Sequence, residues 1–152
     1  MNPLLIIGIG NRLREDDGMG CRAAELLARP FSSAAAEIEE CHQLTPEWAA
    51  RLANARIVIF LDAATDQEPG SIVSRRVQAE PCKRSFSHHL SPGELLDLAA
   101  TVHGSAPVAF LISGGAFQTG LTDRMTPDGE RCAQQMAAAA ERILAAELCS
   151  KM

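Results

Sequence analysis

Hydrophobic and polar positions alternate along the chain in blocks that are typical of strands and helices. Continuous apolar runs over 3–8, 56–62 and 107–113 predict strands that are covered on both faces. A more polar run over 37–41 predicts a weaker strand, and 70–77 has the polar character of an edge strand. The pattern therefore predicts about five strands, separated by longer segments.

The longer segments carry helix signals. Apolar residues recur at helical spacing from Met19 to Ala28. Three later segments place a hydroxyl residue before proline, which is typical of a helix N-cap and first helical position: Thr45-Pro46, Ser91-Pro92 and Thr126-Pro127. Glu94 completes a capping box with Ser91. The last helix is predicted over 127–148.

This alternation predicts a single-domain α/β protein over 1–152, a three-layer α/β/α sandwich with a mostly parallel, twisted sheet of about five strands. The length of 152 residues lies within the usual one-domain range of roughly 100–200. In parallel sheets, ligands bind outside the carboxyl ends of the strands. The segments 10–17, 62–65 and 113–115 are therefore where a site is expected.

Composition excludes several classes of function. A net charge of −5 and an aromatic content of 4% argue against a nucleic-acid partner and against docking on an anionic membrane. The five cysteines are scattered and form no C-x-x-C pair, which predicts reduced thiols in a cytoplasmic protein. The first apolar run is too short for a signal sequence or a membrane span.

The first loop resembles a nucleotide-binding turn only superficially. Gly8 and Gly10 follow the first strand, but the dinucleotide fingerprint requires a third glycine where Leu13 stands. The acidic run 15–17 would also repel a pyrophosphate. A dinucleotide site is therefore not expected here.

Three carboxylates are candidates for chemistry. Asp16 and Asp17 precede a predicted helix, where one of them is able to act as an N-cap and leave the other available. Asp62 ends the most apolar strand, where burying a carboxylate without a partner is costly. The alternative for Asp62 is a local turn closed by its side chain on Ala64 or Thr65.

Candidate imidazoles come from an adjacent histidine pair. His88 and His89 lie just before the capped helix at Ser91, whose positive end favours the neutral imidazole that binds metals. The alternative is a solvated loop pair, and we interpret His42 and His103 as surface residues. Two or three carboxylates and one imidazole from separate loops suit a divalent metal with an open coordination position.

These residues resemble a known family. The segment 5–20 is similar to the opening signature of the hydrogenase maturation proteases: a strand, Gly-x-Gly-Asn, a short turn, an acidic pair and Gly-x-Gly. Asp62-Ala63 after an apolar strand is a second match, and His88 before a leucine-rich helix is a third. Enzymes of this family trim the C-terminus of the large subunit of nickel–iron hydrogenases.

The resemblance implies a specific assignment of roles. The family's three metal-coordinating, catalytic residues fall on Asp17, Asp62 and His88, with His89 as the alternative ligand and Asp16 orienting the loop. It implies a nickel-dependent endopeptidase with no serine or cysteine nucleophile and no resident cofactor. Nickel would arrive already bound in the large-subunit precursor, which is the implied partner, and would polarise the scissile carbonyl or activate water.

One segment departs from the family pattern. The family's Gly-Gly-Thr-type turn is replaced here by Gln43-Leu44-Thr45, which retains only the threonine. Leucine does not adopt glycine's backbone range cheaply, so we expect a more rigid turn.

Three alternative functions stay open from the residues. The first is a non-catalytic, metal-recognising assembly factor on the same scaffold, and the second is a hydrolase of another peptide that uses an ordinary divalent ion. The third is a cysteine hydrolase built on Cys21, whose pKa a nearby helix start would lower. The simpler interpretation of Cys21 is a small packed residue.

Overall fold

Five strands form one sheet in the computed structural model, which describes residues 4–29, 36–82 and 89–150. The strand order is β2-β1-β3-β5-β4, in which the first four are parallel and β4 pairs antiparallel with β5 at the edge. The strands are β1 (Leu4–Ile9), β2 (Glu37–Cys41), β3 (Ile57–Ala64), β4 (Ile72–Arg76) and β5 (Val108–Gly115). The predicted mostly parallel sheet with a polar edge strand is confirmed.

Two of the three hydroxyl–proline signals, Ser91-Pro92 and Thr126-Pro127, mark the start of an α-helix, whereas the α-helix predicted from Thr45-Pro46 begins later, at Ala49. Thr126 and Ser91 both accept a hydrogen bond from the backbone N–H three residues ahead, and the Ser91–Glu94 capping box is complete. Thr45 holds an N-cap position, but its side chain makes no cap hydrogen bond and the chain opens there as a short 3-10 turn, Pro46–Trp48. The helices are α1 (Met19–Leu27), α2 (Ala49–Ala53), α3 (Pro92–His103) and α4 (Pro127–Cys149).

Helices cover both faces of the sheet. Because successive side chains of a strand point to opposite faces, Ile6 and Ile7 of β1 enter different cores. One core joins the sheet to α1 and α4, and the other joins it to α2 and α3. Every β1 residue is buried, as expected for a strand covered on both sides. The predicted three-layer sandwich is confirmed.

Two strands run further than the apolar pattern indicates. β3 continues through Ala64 and β5 through Gly115, so that Asp62 pairs in register with Ser113. Backbone pairing causes the extension, because Gly115 exchanges hydrogen bonds with Gly70 and Ser71 on its other side. The expected loops at 62–65 and 113–115 therefore begin later, and Asp62 is fixed within a strand.

Two further expectations concern thiols and membranes. All five cysteines are free, which confirms the prediction that they form no disulfide framework. Among the residues that the structure describes, no helix combines the length and the apolar character that crossing a bilayer requires.

Candidate functional site

A cleft of about 380 Å³ lies at the carboxyl ends of β1 and β3. Asp17, from the loop after β1, and Asp62, from the end of β3, both line it. The remaining walls come from the segment after β2 and from the start of α3. Two of the three predicted ligands therefore meet in one open site at the edge of the sheet where ligands were expected.

Close backbone contacts place Asp17 beside Asp62. Gly10 has a positive φ of 142°, and a Cβ atom there would lie 2.0 Å from the carbonyl oxygen of Asp17. A Cβ atom on Gly20 would lie 2.2 Å from the carbonyl oxygen of Leu61. These contacts leave no space for a side chain, so the two glycines let the loop and α1 press onto the strand ends.

The loop also fixes the Asp17 carboxylate itself. The backbone N–H of Asn11 donates to Asp17 Oδ2 at 2.9 Å. The side chain stays half-buried, with one face on the cleft. Glycine, asparagine and aspartate in this order thus form a small frame that orients a carboxylate, which explains the Gly-x-Gly-Asn pattern physically.

Asp16, next in sequence, has a different role. Its side chain is fully buried and accepts hydrogen bonds from the backbone N–H groups of Phe117, Gln118 and Thr126 at 3.0–3.2 Å, and from the Thr126 hydroxyl at 3.0 Å. Asp16 therefore ties the first loop to the segment before α4. The N-cap of α1 is Gly18, without a side-chain cap bond, so the capping alternative for the acidic pair is wrong.

The environment of Asp62 disfavours its charged form. Burial raises the pKa of Asp62 from an ordinary value of 3.8 to about 7, and the nearby Asp17 charge adds to the rise, while the backbone N–H of Ala63 opposes it. Since β3 continues in extended pairing through Ala64, Asp62 starts no local turn, and that alternative is wrong. A carboxyl group in a cleft with a strongly raised pKa is a common feature of functional sites.

Replacing Asp62 with asparagine should stabilise the fold in a pH-dependent way. The folded protein binds the Asp62 proton more tightly than the unfolded chain, so stability falls as pH rises from about 4 to 7. A shift of about three pKa units corresponds to about 2–4 kcal/mol once partial exposure is allowed for. Urea unfolding should show Asp62→Asn more stable than the wild type at pH 8 and nearly equal to it at pH 4. A pH-independent difference would contradict the burial of this charge.

Of the two candidate histidines before α3, the structure describes His89. His88 lies outside the described residues, and His89 is exposed just before α3. Within 4–29, 36–82 and 89–150, no three histidine, cysteine or carboxylate side chains are grouped closely enough to hold a metal ion. The pair Asp17 and Asp62 thus forms the described part of the predicted ligand set, and His88 stays a prediction.

Sequence reasoning missed one imidazole. His42 is exposed, as expected, but it directly follows β2 and lines the same cleft as the two carboxylates. Burial, and then the charge of Asp62, raise the pKa of the adjacent Cys41 thiol to about 11. The signal was available, because a residue after a parallel strand lies at the carboxyl edge. His103 is exposed in the last turn of α3, as predicted.

The cysteine-hydrolase alternative is wrong. Burial, followed by the charge of Glu40, raises the pKa of the Cys21 thiol to about 12. Its sulfur lies 3.7 Å from the carbonyl oxygen of Gly10, which it faces as a weak donor. A buried, protonated thiol is a packing residue rather than a nucleophile.

The segment that departs from the family pattern is anchored in the core. Leu44 is 3% exposed, and its carbonyl oxygen accepts a hydrogen bond from the backbone N–H of Leu90 at 3.1 Å. The turn is held by the burial of the Leu44 side chain and by this backbone hydrogen bond to the segment before α3. The turn is therefore anchored beside the cleft, and its rigidity stays a prediction.

Comparison with known proteins gives a likeness of structure. No family model matches the chain, and no curated protein matches it. The hydrogenase maturating endopeptidase HybD from E. coli is 23% identical with a TM-score of 0.75, and the match covers 99% of this chain and 94% of HybD. The NiFe hydrogenase maturation protease HycI from Thermococcus kodakarensis KOD1 is 24% identical with a TM-score of 0.73, over 94% and 92% of the two chains.

A third structure extends the likeness to another lineage. The hydrogenase 2 maturation peptidase from Thaumarchaeota archaeon SCGC_AB-539-E09 is 22% identical with a TM-score of 0.71, over 95% of this chain and 99% of its own. The resemblance drawn from 5–20, Asp62 and the leucine-rich helix is confirmed at the level of the fold. The chain therefore has the fold of the hydrogenase maturation proteases.

Proposed function

We propose that this chain is an endopeptidase that removes a C-terminal peptide from the nickel-loaded precursor of a nickel–iron hydrogenase large subunit. The observation that carries the proposal is the meeting of Asp17 and Asp62 in one open cleft, on a fold shared with proteins named as hydrogenase maturation endopeptidases. Recognition of the bound nickel would make cleavage depend on a loaded precursor.

The donor set suits a cation that the substrate brings. Burial and the nearby Asp17 charge disfavour the ionised form of Asp62, and a divalent ion between the two carboxylates would compensate both charges. His88 would add an imidazole nitrogen, a ligand that nickel accepts together with carboxylate oxygens. Because these ligands leave coordination positions free, the precursor's own cysteine thiolates would remain on the metal.

Each residue of the site then has a defined task. The metal supplies Lewis-acid polarisation of the scissile carbonyl or an activated water. The backbone N–H of Asn11 orients the Asp17 carboxylate, and strand pairing with Ser113 fixes the backbone of Asp62. Together the two carboxylates would fix the metal's position relative to the cleft. The anchored turn at Leu44 would form the wall along which the peptide lies.

Intact-mass spectrometry of the precursor tests the proposal. The purified chain is incubated with a large-subunit precursor, once loaded with nickel and once metal-free. We expect loss of the C-terminal peptide from the loaded precursor alone, because the metal-free precursor offers the carboxylates no cation. The same loss from both forms would contradict nickel recognition.

The same assay distinguishes an endopeptidase from the alternative, a non-catalytic, metal-recognising assembly factor. A factor without catalytic activity would bind the loaded precursor and leave its mass unchanged after long incubation. Binding that is equally strong after Asp17→Ala would show in addition that the carboxylate pair does not recognise the metal.

A further inference from the structure

A second, smaller pocket of about 170 Å³ adjoins the cleft. Gly10 and His42 line both cavities, so the two open onto one continuous surface at the ends of β1 and β2. The mechanism proposed above uses Asn11 of this pocket, through its backbone N–H, and gives no task to the side chains of Arg12, Leu13 or Glu40. A polypeptide that crosses the carboxylate pair would pass directly over it.

The charged side chains at the pocket form ion pairs with one another. Arg12 Nε and Nη2 donate to the two carboxylate oxygens of Glu40, both at 2.8 Å, and Nη2 also donates to Glu25 at 3.0 Å. The Cys21 thiol on the inner wall is protonated, as described above. The pocket therefore offers an incoming group no uncompensated charge to pair with, and a charged group would lose its hydration there without return.

One exposed apolar side chain, Leu13, lies among the residues that line the pocket, in a loop held by hydrogen bonds. Leu13 is 64% exposed, so its side chain is accessible to an incoming apolar group at the pocket. Its exposure is not a consequence of a loose loop. The backbone N–H of Leu13 donates to Asn11 Oδ1 at 2.9 Å, and the next residues, Arg14 and Glu15, pair with Thr122 and Gly120 across the neighbouring segment.

We infer that this pocket is a subsite for an apolar side chain of the substrate polypeptide, close to the bond that is cleaved at the carboxylate pair. The inference rests on the proposed function for the identity of the substrate. Its basis is the continuity with the cleft, the compensated charges and the rigidly presented Leu13. The volume is roughly that of five or six water molecules, which suits one leucine-sized side chain.

A binding experiment tests the subsite without requiring cleavage. N-acetyl-leucine amide is titrated into the ¹⁵N-labelled chain, with N-acetyl-aspartate amide as the charged comparison. We expect saturable amide shifts at Leu13, Cys41 and His42 with the leucine probe and much weaker ones with the aspartate probe. Leu13→Ser should weaken leucine-probe binding about tenfold, because the apolar contact with the Leu13 side chain is removed.

Val102→Ser provides the matched control, because Val102 in α3 is 63% exposed and lies outside both cavities. It should leave probe binding unchanged. Absence of shifts at the pocket, equal binding of the two probes, or equal effects of the two serine variants would overturn the subsite.

Kinetics on the precursor then connect the subsite to function. Leu13→Ser should raise KM about tenfold and leave kcat unchanged, since it touches binding and not the carboxylate pair. A wild-type chain that binds the leucine probe but does not cut the precursor would contradict the proposed function and leave the subsite in place. A chain that cuts the precursor with unaltered kinetics after Leu13→Ser would contradict the subsite alone.

Discussion

Replacing Asp16 with alanine should lower the free energy of unfolding by about 3–5 kcal/mol, the largest stability loss expected of any single acidic residue in the described chain. The carboxylate is fully buried and accepts from three backbone N–H groups and one hydroxyl. Alanine would leave these donors buried and unpaired in a space that water enters poorly. A cavity of carboxylate size adds to the loss.

Urea unfolding measured by circular dichroism checks this expectation. Asp123→Ala is the matched control, because Asp123 is exposed within the segment that Asp16 holds, and it should change stability by less than about 0.5 kcal/mol. Asp16→Asn should fall between the two, since one oxygen still accepts while the amide group faces donors. If Asp16→Ala unfolded at the same urea concentration as Asp123→Ala, Asp16 would not be the tie between the two segments.

The consequence of losing Asp16 should reach the site. Thr126, which donates to Asp16, also caps α4 by accepting from the backbone N–H of Gly129 at 2.9 Å. The same carboxylate therefore holds the start of α4 and the loop that carries Asp17. Asp16 therefore holds the two segments together, whereas the carboxylate of Asp17 faces the cleft.

The fold was largely predictable from the sequence because its determinants are local or periodic. The buried runs of β1 and β3 are apolar enough to require cover on both faces, and Ser91 and Thr126 satisfy backbone donors within their own helix turns. The end of β3 was not predictable. Asp62 lies within the strand because β5 and the chain at Gly70 extend the pairing, and that contact depends on residues far away in the sequence.

The site was predictable only in its parts. Asp16 and Asp17 are chemically identical neighbours, and nothing local indicates which is buried and which faces the cleft. That difference arises from the loop geometry imposed by Gly10 and from backbone donors about a hundred residues away. His42 reaches the cleft through the position of β2 in the sheet, since β2 lies beside β1 and not beside β3.

Removing either charge of the cleft should reduce precursor cleavage by about a thousandfold. Asparagine keeps the size of aspartate and one of its oxygens but lacks the charge that binds a cation. Metal polarisation contributes several kcal/mol to transition-state stabilisation, and about 4 kcal/mol corresponds to a thousandfold in rate. Asp17→Asn and Asp62→Asn should both remain folded, and Asp62→Asn should be more stable than the wild type above pH 7 for the reason given above.

The single-turnover rate of cleavage of a nickel-loaded large-subunit precursor tests the role of the carboxylate pair most directly. It is measured for the wild type, Asp17→Asn, Asp62→Asn and the exposed control Asp123→Asn, with enzyme in excess and the precursor followed by intact mass. We predict wild-type rates for Asp123→Asn and a loss of about a thousandfold for each cleft variant, with their folds intact. Wild-type rates for Asp17→Asn and Asp62→Asn would contradict the assignment of the chemistry to this cleft.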